Sequence, residues 1–152
     1  MKLLLTFLIS MVPVIELRGA IPIGIASGAD PWLVCALAIV GNLLPVPFIL
    51  LFIRHIFAWM RRFDKLRSIV DALEKKANSK SDKVRKYEIL GLFLFVAIPL
   101  PGTGAWTGSL VAALMDMKFG KAILSVALGV LTAGVIMTLI SYGVLGFLSF
   151  LL

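Results

Sequence analysis

The stretch ELRGAIPIG, residues 16–24, places a Glu, an Arg, two Gly and a Pro inside an otherwise apolar first segment. The stretch PLPGTGAWTG, residues 99–108, interrupts the second half of the chain in a comparable position. Gly and Pro both disfavour the interior of a regular helix. Each stretch therefore predicts a break between two short apolar arms, and these two breaks determine the fold that we expect.

Composition sets the broad class of the protein. Of its 152 residues, 61% are hydrophobic and 15% charged, and the mean hydropathy is +1.06, values that indicate an integral membrane protein. A helix that crosses a bilayer needs about 20 residues, so the chain has room for about four apolar segments and for no separate soluble catalytic domain. We therefore expect a protein of the cell membrane that is not an enzyme.

The sequence lacks the common motifs of catalytic, nucleotide-binding and metal-binding sites. It contains no P-loop, no GxSxG elbow, no HExxH and no pair of cysteines, since Cys35 is the single cysteine. His55 has no potential ligand at metal-binding spacing. We expect no catalytic residue, no metal and no cofactor.

Positive charge is concentrated in the middle of the chain. Eleven of the 15 Lys and Arg lie between Arg54 and Lys86, so the positive-inside rule predicts that residues 54–88 are cytoplasmic. Apolar residues recur there at helical spacing, which predicts a basic amphipathic helix at the membrane surface. We expect this region to contact membrane lipids and not nucleic acid.

The basic region separates two halves with the same order of parts. Residues 1–53 comprise short arms over 3–30 and a long apolar run over 31–53; residues 89–152 comprise short arms over 89–116, a long run over about 119–142 and a tail. Gly41 and Gly129 lie at the same depth in the two long runs, and each second arm opens with a GxxxG. The shared order predicts an internal duplication.

Arms of about ten to fifteen residues are too short to cross a hydrocarbon core of about 30 Å. We therefore predict an all-α integral membrane protein built as an inverted repeat, in which each half is a re-entrant helical hairpin followed by a transmembrane helix, and the basic helix joins them. Irregular backbone at membrane depth must be buried in protein or line a polar cavity, so the two breaks predict an internal site. Four plain crossings are the alternative topology.

The candidate substrate-binding residues come from the two breaks. Arg18 suits a phosphate or carboxylate because its planar guanidinium can donate two hydrogen bonds at once, and Gly-rich backbone can offer amides to an anion. Glu16 and Arg18 can share a side only if the backbone there is not helical, because residues two apart in a helix point about 200° apart. The set consists of Glu16, Arg18, Gly19, Pro22, Pro101, Gly102, Thr103, Gly104, Trp106 and Thr107.

Several of these residues allow a second interpretation. Trp106 is either a lid or an aromatic at the membrane interface. The proton-coupling candidates are Glu16, Asp30 and Asp116, although Asp30 and Asp116 are also typical of solvated loop carboxylates. Asn42 is more typical of helix-to-helix hydrogen bonding than of a ligand site.

Together the two motifs, the basic central stretch and the overall length resemble the small multi-drug export family of bacterial and archaeal membrane proteins, over nearly the whole chain. More remotely, the duplicated pattern is similar to the DedA superfamily, whose members are implicated in flipping lipid carriers such as undecaprenyl phosphate. That similarity implies roles for Glu16 and Arg18 as the essential intramembrane acidic and basic residues. The second break has no Arg, so the chain departs from a symmetric two-Arg site.

Three functions remain open from the sequence. The first is an ion-coupled transporter or flippase for an amphipathic substrate with an anionic head group, such as a polyprenyl phosphate lipid carrier. The second is a small multidrug exporter of amphipathic cations, and the third is a structural or regulatory membrane protein. A chain this small has few helices with which to enclose a transport pathway, so we expect a homodimer or a higher homo-oligomer.

Overall fold

The computed structural model of the protein describes residues 1–63, 67–68, 71–72, 75 and 87–151, without the side chains of 54, 57 and 145–151. All regular secondary structure in these residues is helical, as the sequence predicted. In the predicted basic connecting region, residues 54–88, which contains the predicted amphipathic helix, residues 64–66, 69–70, 73–74 and 76–86 lie outside the described residues. The helices are α1 Lys2–Met11, α2 Glu16–Ala26, α3 Pro31–Leu43, α4 Val46–Met60, α5 Glu88–Ala97, α6 Ala105–Leu114 and α7 Phe119–Leu151.

Helices α1 and α2 form an antiparallel hairpin. Its open end is fixed by Lys2, whose ammonium donates to the Ser27 carbonyl after the end of α2. Further in, Gly24 of α2 packs directly against Thr6 of α1. The turn comprises residues 12–15, so the structure corrects the expected position of the first break: ELRGAIPIG forms most of α2 rather than the turn itself.

Helices α5 and α6 form a second antiparallel hairpin. Gly108 of α6 packs against Val96 and Leu92 of α5. Here the turn, residues 98–104, does coincide with the predicted break, and Gly102 at its centre has a φ of +81°. Glycine adopts this left-handed conformation without the steric cost that a side chain would impose.

Within the described residues, two helical stretches are long and apolar enough to cross a membrane, Pro31–Met60 and Phe119–Val144, each with a mean hydropathy of 2.4. The first is divided at Leu44 and Pro45 into α3 and α4. Pro45 and Pro47 cannot donate backbone hydrogen bonds to the preceding turn, which explains the division. The second stretch continues as helix through the expected tail to Leu151.

The two halves pack in the same way around their glycines. Gly41 of α3 lies against Phe7 and Ser10 of α1, while Gly129 of α7 lies against Phe93 and Val96 of α5. In both halves, therefore, the first short helix contacts the long stretch at the same depth and through the same close approach. The inverted repeat of re-entrant hairpins itself stays a prediction.

The open ends of the two hairpins lie beside different parts of α7. Near its start, Lys121 pairs with Glu88 at the open end of the second hairpin, with 3.4 Å between Nζ and Oε1. Near residue 142, α7 lies beside Asp30 and Trp32, which follow the open end of the first hairpin. A helix rises 1.5 Å per residue, so these two ends are separated by about 30 Å along α7.

Candidate functional site

The site lies where the turns of the two hairpins meet. Four groups of the second hairpin, all within 96–106, hydrogen-bond to Arg18 or Glu16, and the indole Nε1 of Trp106 donates to the Met11 carbonyl at 3.1 Å. The sequence motifs therefore converge on one place although 78 to 90 residues separate these partners along the chain.

A salt bridge joins Glu16 and Arg18 at the centre of the site. Arg18 Nη1 lies 2.7 Å from Glu16 Oε2, and the two side chains are 13% and 4% exposed. They pair despite both belonging to α2 because Glu16, the first residue of that helix, has a φ of +50°. This backbone turns the carboxylate toward the guanidinium. The sequence predicted that the two side chains could share a side only where the backbone is not helical.

The other nitrogens of Arg18 fix the guanidinium against the second hairpin. Nη2 donates to the carbonyls of Val96 and Ile98 at 3.2 and 3.3 Å, and to the Thr103 hydroxyl at 3.0 Å. Nε is buried and has no acceptor among the described residues. Arg18 thus has three oxygen partners besides Glu16, and its Nε–H donor is unused among the described residues.

The second oxygen of Glu16 meets the start of α6. Its Oε1 accepts the backbone N–H of Trp106 at 3.0 Å, one of the first amides of that helix, which lack partners within the helix. A helix N-terminus also carries a partial positive charge that favours an anion. The Glu16 carboxylate therefore lies between a guanidinium and a helix N-terminus.

Gly104 allows this arrangement. A Cβ built on Gly104 would overlap both oxygens of the Glu16 carboxylate, so no residue with a side chain fits there while Glu16 keeps its position. The backbone of Gly104 has a φ of −85°, an ordinary value for any residue. The requirement for glycine is therefore one of space and not of backbone conformation.

A cavity of about 250 Å³ opens beside the salt bridge. Six of the predicted site residues line it, namely Glu16, Arg18, Gly102, Gly104, Trp106 and Thr107. Thr103 contacts Arg18 directly. The lining is thus one ion pair, glycine backbone, a hydroxyl and apolar surface, an arrangement suited to the polar head of an amphipathic molecule.

The remaining predicted residues lie elsewhere. Gly19, Pro22 and Pro101 are not among the lining residues of this cavity. Pro22 lies four residues after Arg18 and has no N–H to donate to the Arg18 carbonyl. Asp30 lines a different cavity, near residue 142 of α7, and Asp116 follows the end of α6, so neither joins the Glu16–Arg18 pair.

Sequence reasoning missed three residues that line the cavity, Pro13, Val14 and Leu110. Pro13 and Val14 belong to the turn after α1, where Val14 has a φ of +76°, a strained value for a β-branched residue. The dipeptide of Val12 and Pro13 could have indicated this turn, because a residue before proline disfavours the helical conformation.

Asn42 is fully buried in α3. Its side-chain amide finds no hydrogen-bond partner among the described residues. The predicted helix-to-helix hydrogen bond of Asn42 is therefore not present in the part of the chain that the structure describes.

Comparisons with curated proteins and with solved structures give no match to this chain. A family comparison does: residues 16–136, most of the chain, match the family described as "Putative small multi-drug export protein". The matched region begins at Glu16 and contains both motifs and the whole second hairpin. The remote similarity to the DedA superfamily stays a prediction. The resemblance drawn from the two motifs is confirmed, and the chain belongs to the small multi-drug export protein family.

Proposed function

We propose that the protein is a membrane transporter, not an enzyme, that moves an amphipathic substrate with an anionic head group and couples this movement to protons. A polyprenyl phosphate lipid carrier is a substrate of this kind. One observation carries the proposal: the Glu16 carboxylate lies between the Arg18 guanidinium and the backbone N–H of Trp106, in the kind of surroundings that bind an external anion.

In this proposal Glu16 acts as an internal anion that competes with the substrate. Arg18 and the start of α6 together favour one negative charge. When Glu16 is ionised, its own carboxylate supplies that charge. When Glu16 takes up a proton, the guanidinium loses its counter-charge, and a phosphate or carboxylate head group entering the 250 Å³ cavity can replace it.

This exchange couples binding of the substrate to uptake of a proton. The substrate anion and the ionised Glu16 exclude each other, so binding of the anion is accompanied by uptake of a proton at Glu16. Arg18 stays in position during the exchange because its Nη2 remains bonded to Val96, Ile98 and Thr103. Glu16 is therefore the proton-coupling residue, and Arg18 the substrate-binding residue.

The topology we propose is the inverted repeat of two re-entrant hairpins. Helices of 10 or 11 residues span about 15 Å each, half of a hydrocarbon core. The two hairpins contact each other beside their turns, and their open ends lie beside α7 near residues 121 and 142. Hairpins entering from opposite faces, with residues 54–88 cytoplasmic, would bring Glu16 and Arg18 to the membrane midplane.

A single chain has few helices with which to enclose a transport pathway. Many large apolar side chains are exposed on the described helices, including Leu8, Phe48, Phe52 and Leu131. Lipid covers such surfaces in a membrane, and a second copy of the chain covers them in an oligomer. We propose a homodimer or higher homo-oligomer as the working unit.

The family description favours a second candidate function, export of amphipathic cations. In that case Glu16 itself would bind the substrate and Arg18 would be the group that the substrate displaces. The two functions make opposite predictions for Glu16→Gln. The amide of Gln keeps an oxygen for the Trp106 N–H and removes the negative charge.

The test measures binding of a dodecyl phosphate and of dodecyltrimethylammonium to the purified protein in nanodiscs, for the wild type, Glu16→Gln and Arg18→Ala. We expect Glu16→Gln to bind dodecyl phosphate at least as tightly as the wild type and without the wild-type dependence on pH. We expect Arg18→Ala to weaken that binding at least about 30-fold, as for loss of a buried charged partner.

Two results would contradict the proposal. If Glu16→Gln weakens binding of dodecyltrimethylammonium and leaves dodecyl phosphate unaffected at every pH, the cation exporter is correct. If Arg18→Ala binds dodecyl phosphate like the wild type, Arg18 is not the substrate-binding group. Lys121→Ala serves as the matched control, because it also removes a cation from an ion pair, outside the cavity.

A further inference from the structure

A second cavity lies at the far end of the molecule from the Lys121–Glu88 pair. It measures about 400 Å³ and is larger than the cavity beside Arg18. Its lining consists of Asp30, Pro31, Trp32, Thr138, Leu139 and Tyr142. The first three residues are the N-cap and first turn of α3 and the last three lie on α7, so the cavity lies between these two helices.

Among the described residues that line it, the cavity has one negative charge and no positive one. Asp30 is the charged residue among its lining, and its Oδ1 accepts the backbone N–H groups of Trp32 and Leu33 at 3.0 and 2.9 Å. Both bonds go to the same oxygen and hold the carboxylate in place, and Oδ2 has no hydrogen-bond partner among the described residues. Among the described residues Asp30 has no salt bridge, and Lys2 on the neighbouring α1 donates to the Ser27 carbonyl instead.

Two aromatic rings complete the cavity wall. Trp32 and Tyr142 are 61% and 64% exposed, so their faces are open to a bound molecule. The face of an aromatic ring attracts a cation, and tryptophan does so most strongly. The Thr138 hydroxyl is already bonded to the Gly134 carbonyl at 2.8 Å, and Leu139 adds apolar surface.

This set of groups matches an organic ammonium head better than a metal ion. Mg²⁺ and Ca²⁺ take six or more oxygen ligands, and the cavity offers a single carboxylate. A substituted ammonium needs one negative charge, aromatic faces for its methyl or methylene groups, and apolar contacts. All three are present around one cavity of suitable size.

We propose that the cavity of Asp30, Trp32 and Tyr142 binds the head of an organic ammonium compound. Two sources carry this chemistry, the ethanolamine head group of a phospholipid and a free amphipathic cation. The inference is independent of the function proposed for Glu16 and Arg18, since the two cavities share no lining residue.

The test is equilibrium dialysis of radiolabelled benzyltrimethylammonium into the full chain in phosphatidylglycerol nanodiscs, with binding to empty discs subtracted. Asp30→Asn removes the charge and keeps a good helix N-cap, so the fold is retained. We expect binding to weaken by about two- to five-fold. Tyr142→Leu keeps an apolar wall, and we expect a loss of about two- to five-fold. Neopentylbenzene, the uncharged isostere of the probe, should not bind the cavity.

Asp116→Asn is the matched control, because Asp116 occupies the corresponding junction after the second hairpin and does not line the cavity. It should bind the probe like the wild type. Binding by Asp30→Asn equal to the wild type, or equal binding of neopentylbenzene, overturns the proposal. Adding phosphatidylethanolamine to the discs identifies the source: a weaker apparent affinity for the probe in the wild type means that the lipid head group occupies the cavity, and an unchanged affinity means that the free cation is the ligand.

Discussion

At the scale of single residues, the site depends on a carboxylate and a guanidinium that are two positions apart and yet form a salt bridge. An ordinary helix would turn them to different sides. The left-handed backbone of Glu16, preceded by a strained Val14, turns them together. Left-handed non-glycine residues cost of order 1–3 kcal/mol each, so the surrounding contacts of Glu16 must offset this cost.

The sequence identified Glu16 and Arg18 because charged residues in an apolar segment are conspicuous and costly. It also identified the glycine-rich second break as a source of backbone donors. It could not show that Trp106 contributes its backbone N–H to Glu16, since this bond joins residues 90 positions apart. Only the packing of the two hairpins determines that pairing.

Gly104→Ala tests the close contact at the site. The new Cβ would overlap the Glu16 carboxylate, so Glu16 must move away from the Trp106 N–H. We expect the free energy of unfolding to fall by about 1–3 kcal/mol, as for overpacking elsewhere, and transport to fall at least about ten-fold, because an ion pair moved out of place no longer couples protons to substrate. Thermal unfolding in detergent and vesicle transport measure the two effects.

Gly91→Ala is the control for Gly104→Ala. It adds the same methyl group in α5, where no atom lies within 4 Å of the new Cβ, and alanine favours helix. Its stability should match or slightly exceed that of the wild type. If Gly104→Ala behaves in the same way, Glu16 does not need its present position.

At the scale of helices, the sequence predicted the number and order of the apolar parts but not all of their boundaries. ELRGAIPIG contains Gly and Pro, and yet it is helical. The reason is that Pro22 removes only the bond to Arg18, in the first turn of α2, and Gly19 lies within that same turn. The actual turn precedes the motif, at residues 12–15, where Pro13 and the residue before it cannot continue α1.

Gly41→Ala and Gly129→Ala test the equivalence of the two halves. Each new Cβ would approach a backbone carbonyl oxygen of the neighbouring short helix, Phe7 O at 2.6 Å and Phe93 O at 3.0 Å. Backbone yields less readily than a flexible side chain, so the short helix must shift. We expect each variant to lose about 1–3 kcal/mol of stability, measured by thermal unfolding in detergent.

Gly143→Ala, which meets no atom within 4 Å, should leave stability unchanged and serves as the control. The duplication predicts a similar loss in both halves. A loss confined to one of the two variants would mean that the shared glycine positions do not reflect shared packing.

At the scale of the whole molecule, hydropathy and charge predicted the membrane class and the two long apolar stretches, which the structure contains. Hydropathy and charge could not determine which helices contact each other. In lipid, an apolar helix surface contacts lipid tails as well as it contacts another helix, so close packing decides which helices associate. The contacts along α7 supply that information: the open ends of the two hairpins lie about 30 Å apart on this one helix. We propose that these two ends face opposite sides of the membrane.

The most direct test compares the sides on which two residues lie. Single cysteines at Lys118→Cys and Lys75→Cys, each in a Cys35→Ala background, are labelled with a membrane-impermeant maleimide in intact cells and in inverted vesicles. Both parent residues are exposed. Two re-entrant hairpins place Lys118 and Lys75 on the same, cytoplasmic side, so both should react in inverted vesicles only. Labelling of the two cysteines from opposite sides would mean four plain crossings, and would contradict the central position of Glu16 and Arg18.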